Sequence, residues 1–104
     1  MSGTIDGTLQ LPVGEGSIKL SQLAEVINKS MTEYGIHALR HTDKKGSTTK
    51  VAIDSEGEVY KGRVVVSGTN AEIFIKYKDE ANPSALTQLR RLLKQTLGYN
   101  NPDN

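Results

Sequence analysis

The chain contains no cysteine, no tryptophan, one phenylalanine and three prolines among its 104 residues. Without cysteine there is no disulfide, no thiolate metal site and no thiol nucleophile, a pattern that fits a reducing compartment. The longest uninterrupted apolar runs are three residues, as in Val64-Val65-Val66. A membrane span needs about 20 apolar residues and a secretory core about 7 to 15, so neither is expected and a soluble, cytoplasmic location is. An excess of one charge is missing too. Thirteen Lys and Arg face twelve Asp and Glu, a formal charge of +1, far from the strongly basic balance of a typical nucleic-acid binder. Aromatic residues, which anchor many interfaces, make up only 5%.

What is present reads as an ordinary globular chain, 36% hydrophobic and 24% charged, of a length that buries roughly two-thirds of its unfolded surface in one core. One domain over residues 1–104 is expected, with an ordered core over about 4–99 and a disordered C-terminal tail from Asn100 to Asn104. No internal repeat, linker or low-complexity block divides it.

Two apolar stripes bracket the middle of the chain. Leu20, Leu23, Ala24, Ile27, Met31 and Tyr34 form the first, and Leu86, Leu89, Leu93 and Leu97 the second. Their spacing of three and four gathers each set onto one side of a helix. Ser21 is the expected N-cap of the first helix, which runs to Tyr34 and stops at Gly35. Asn82-Pro83 opens the second, which reaches Leu97 and stops at Gly98.

Ahead of the first helix, Ile5, Leu9 and Leu11 alternate with polar residues as in a half-buried strand, with Gly7 a gap in the row, Met1 to Gly3 frayed and Pro12 ending the pairing. Four strands separate the helices: Ile36 to Thr42, Thr48 to Asp54, Val59 to Val66, and Ala71 to Tyr77. Turns at Asp43-Lys44-Lys45-Gly46-Ser47, Ser55-Glu56-Gly57 and Gly68-Thr69-Asn70 join them. The expected fold is α+β, β-α-β-β-β-β-α, an antiparallel sheet with both helices on one face and the other face open. A first helix about 21 Å long matches the width of five strands, about 19 Å. The element order is similar to one half of the saddle-shaped TATA-binding proteins, a likeness of topology that carries no shared motif.

Few residues suggest chemistry. His37 and His41 lie four apart, but on a strand that spacing is about 13 Å, too far for one metal ion. Gly14-Glu15-Gly16 resembles the opening of a phosphate loop, yet Lys19 stands where the third glycine belongs and Glu15 would repel the ligand, so it reads as a plain connection. No serine, histidine and acid fall in a nucleophile motif. Neither metal, cofactor nor catalysis is expected.

Binding residues are more legible. If Ile73, Ile75 and Tyr77 face the helices, Phe74, Lys76 and Lys78 project from the open face, joined by Lys50 and one or both histidines. An aromatic among lysines suits either a protein partner, including a second copy, or nucleic-acid bases and phosphates. Arg90, Arg91 and Lys94 form a second basic band on the last helix, which also complements the helix dipole. The expectation is a non-enzymatic binding module, its partner a protein or itself first and a nucleic acid second, with no membrane contact.

Overall fold

Residues 2–100 are described by a computed structural model. The elements follow as β1 (Gly3–Gln10), α1 (Gly16–Ser30), a 3₁₀ turn (Thr32–Tyr34), β2 (Ile36–Thr42), β3 (Thr48–Ser55), a second 3₁₀ turn (Glu56–Glu58), β4 (Tyr60–Ser67), β5 (Asn70–Tyr77) and α2 (Pro83–Leu97). The strands form one antiparallel sheet in the order β1-β5-β4-β3-β2. The fold is the expected α+β arrangement. Of the tail expected to be disordered, Asn100 to Asn104, residues 101–104 lie outside the described residues.

Strand order explains the first helix. β1 and β2 occupy opposite edges, so the segment joining them has to cross the sheet. A fifteen-residue α1 is about 22 Å long, enough to do so, and it packs over β2, β3 and β4 with α2 beside it. One cluster holds the core: Leu20, Leu23, Ile27 and Met31 from the first helical segment, Leu89, Leu93 and Leu97 from α2, and the inward residues of all five strands. Alternation is strict in β5, where Ala71, Ile73 and Ile75 are buried and Glu72, Phe74 and Lys76 are exposed.

The start of α1 differs from the sequence expectation. The helix begins at Gly16, and its N-cap Glu15 makes no side-chain capping bond. A Cβ at position 16 would lie 2.4 Å from Val66 Cγ1, so close packing against β4 sets this end. Ser21 is inside the helix and donates its hydroxyl to the Ser17 carbonyl at 3.0 Å. The far end also differs, since α1 stops at Ser30 and tightens into the 3₁₀ turn, with Tyr34 N–H on the Met31 carbonyl and Gly35 N–H on that of Thr32. Gly35 and Gly98 are left-handed at the two stops, as expected.

At the N-terminus β1 already includes Gly3, paired with Tyr77, so the fraying expected there does not extend to residue 3. Leu92 and Tyr99 belong to the core as well, although the second stripe did not include them.

Candidate interface on the open sheet face

Register turns the outward residues into rows. Because directly opposed residues of antiparallel strands share a face, Asp6, Phe74, Arg63, Ala52 and Leu39 form one row across all five strands. The next row is Thr8, Glu72, Val65, Lys50 and His41. On the other side Thr4, Lys76 and Lys61 stand opposite one another, with Asp54 facing His37 on β3 and β2.

Two large apolar side chains are exposed in the central row. Leu39 is 72% exposed and Phe74 36%, and three strand spacings place them about 14 Å apart. The Arg63 guanidinium sits over the Phe74 ring, 5.7 Å from its centroid, a cation–π arrangement. Four cations, Lys50, Lys61, Arg63 and Lys76, share the face with three carboxylates, Asp6, Asp54 and Glu72. Lys61 and Lys76 stand opposite each other with Arg63 the next outward residue along β4, so three of the four cations are neighbours, while Asp6 is opposite Phe74 and Glu72 lies two residues from it along β5.

At one corner Lys61 and Glu58 form a 2.6 Å ion pair. The hydrogen bond from Lys61 and its charge hold the Glu58 carboxyl below the ordinary range. The same hydrogen bond and the charge of Glu58 raise the ammonium of Lys61. A cavity of about 520 Å³ opens beside them, lined by Lys61, Lys76, Lys78, Glu58, Thr4 and Tyr77 among others.

Of the residues singled out from the sequence, Phe74, Lys76, Lys50, His37 and His41 all lie on the open face. Lys78 lies past the end of β5, where its backbone N–H meets the Val59 carbonyl and its ammonium donates to the Gly57 carbonyl at 3.0 Å. Arg90, Arg91 and Lys94 belong to α2 and therefore to the helical layer, on the other side of the sheet from Phe74. Arg91 donates to Gln88 at 3.2 Å, and Arg90 has its Nε buried without a hydrogen-bond partner. This band and the sheet lysines do not form one surface.

Leu39, Arg63 and Lys61 were not singled out. Burial of Ile36 and Ala38 fixes the parity of β2 and turns Leu39 outward, a signal present in the alternation itself. Placing Arg63 over Phe74 required the β4–β5 register, which the turn residues alone left open. Among the described residues no group of three or more His, Asp or Glu is placed to hold a metal, and no helix is long and apolar enough to cross a membrane. No protein-family model, curated protein or solved structure matches the chain.

Proposed function

We propose that the chain is a small binding module that works by contact rather than by chemistry, docking a protein partner on its open sheet face. The observation that carries this reading is the central row, where exposed Leu39 and Phe74 flank Ala52 and the Arg63 stem. An apolar strip rimmed by charges of both signs suits a protein surface, which offers complementary charges of both signs in turn.

A nucleic acid is the second reading, favoured by Phe74 with Lys50, Arg63 and Lys76 around it. Two features weigh against it. Asp6 and Glu72 stand beside Phe74 in register or along the strand, where they would oppose a phosphate backbone. Arg63 already covers the ring that a base would stack on.

The test immobilises the wild-type chain, a Leu39→Glu/Phe74→Ala variant and an Arg91→Glu control altered on the helical layer, then compares what each retains from cells that express it. Proteins held by wild type and control but lost by the face variant are the expected result. Equal retention by all three would remove the face from the reading. In parallel, short single-stranded and duplex DNA and RNA are titrated at low and moderate salt. Saturable binding that falls steeply with salt and is lost in Lys50→Glu/Lys76→Glu would transfer the face to nucleic acid.

A further inference from the structure

The two edges of a sheet present backbone N–H and C=O groups that invite another strand, and here groups from the helical layer and the segment after it engage some of them. In β2 the residues bonded to β3 are the odd ones. The Asp43 N–H donates to the Thr48 carbonyl at 3.0 Å, and the antiparallel register carries that bonded pairing to His41↔Lys50, Leu39↔Ala52 and His37↔Asp54. The backbone groups of Ile36, Ala38, Arg40 and Thr42 therefore point away from the sheet.

At Ala38 both of those groups are taken by one side chain from α1. Asn28 donates its amide to the Ala38 carbonyl at 2.7 Å and accepts the Ala38 N–H on Oδ1 at 2.8 Å. A primary amide used this way reproduces the donor and acceptor pair of a neighbouring strand. One position earlier in the outward set, the Ile36 N–H donates to the Met31 carbonyl at 3.2 Å. At the opposite edge the Tyr99 hydroxyl donates to the Asp6 carbonyl, with its ring against Gly7, where a Cβ would lie 2.8 Å from Cε1.

We infer that Asn28 occupies the place of a sixth strand and closes the β2 edge to pairing with a second copy of this chain. A copy approaching in antiparallel fashion meets the Ile36 N–H and both groups of Ala38 already engaged and finds whole donor–acceptor pairs only at the Arg40–Thr42 end of the strand. That is too little ladder to hold two strands together. Association is thereby directed away from the edge, whatever binds the open face, so this inference stands or falls apart from the function proposed above.

Amide exchange in the unmodified protein gives the first test. Ala38 and Arg40 both point outward, and the guard predicts that the Ala38 amide exchanges roughly tenfold or more slowly than that of Arg40. Equal rates would overturn the inference. Light scattering across a concentration series gives the second. Asn28→Ala is expected to form dimers that dissociate on dilution, and adding Arg40→Pro, which removes an outward N–H, is expected to restore the monomer. Asn28→Ala remaining monomeric at every concentration would overturn the inference, as would a wild-type dimer that Arg40→Pro alone disperses. Should Asn28→Ala fail to fold, Asn28→Asp retains the acceptor for Ala38 N–H, loses the donor to its carbonyl, and is expected to self-associate more than wild type.

Discussion

At the tip of the β2–β3 hairpin, the carboxylate of Asp43 stands in for the backbone bonds that a five-residue turn cannot make. It accepts the Ser47 N–H at 2.9 Å, the Thr48 N–H at 3.3 Å and the Ser47 hydroxyl at 3.0 Å, while the Asp43 carbonyl receives the Gly46 N–H at 3.0 Å. Loss of solvation pushes the Asp43 carboxyl up, and the hydrogen bonds from Thr48, Ser47 and Gly46 more than offset it, holding the group below the ordinary carboxylate range. A carboxyl depressed by folding stabilises the native state once pH exceeds its unfolded value, and that contribution disappears as pH falls through the folded one. Asp43→Asn is therefore expected to lower the urea midpoint at neutral pH, with the gap to wild type closing on acidification. A gap that widens in acid would contradict this account. The turn itself was legible from Asp43 and Gly46, because asparagine-like side chains and glycine serve turns through local chemistry.

The two helices show where such local chemistry suffices and where it does not. Asn82 accepts the Ser84 N–H at 2.8 Å, Pro83 occupies the first helical position and Gly98 is left-handed at the stop, all as the residue types imply. Removing the cap by Asn82→Ala is expected to cost about 1 kcal/mol, read as a lower denaturant midpoint with unchanged slope. A change within experimental error would show that the Tyr60 hydroxyl, which accepts the Asn82 N–H at 2.7 Å, fixes this end by itself. In α1 the start was misread because Gly16 is positioned by Val66, a contact with no trace in neighbouring sequence. Tyr99 was missed for the same reason. The gap left by Gly7 is visible in the alternation of β1, but the ring that fills it follows α2, and its hydroxyl bonds a residue 93 positions away.

Across the whole molecule, the helical stripes placed both helices on one side only together with the strand alternation, since a sheet whose strands alternate apolar and polar residues, as β5 does, has a single apolar face to cover. Which outward residues stand together was not readable, because that depends on strand order and register set by pairings between distant segments. The distinction yields a comparison between two aliphatic residues on opposite faces. Ile53 is 1% exposed in the core and Leu39 is 72% exposed on the open face, although both lie in the paired strands β2 and β3. Ile53→Ala is expected to cost about 2–5 kcal/mol through lost transfer energy and an unfilled cavity. Leu39→Ser leaves no cavity and is expected to change stability by less than about 0.5 kcal/mol. Thermal or urea unfolding of the two variants beside wild type measures both. If Leu39→Ser were as damaging as Ile53→Ala, the leucine would be serving the fold, and an exposed row held in reserve for a partner would lose its basis. If it is neutral, the fold does not require a leucine there, which is the outcome the proposed docking face expects.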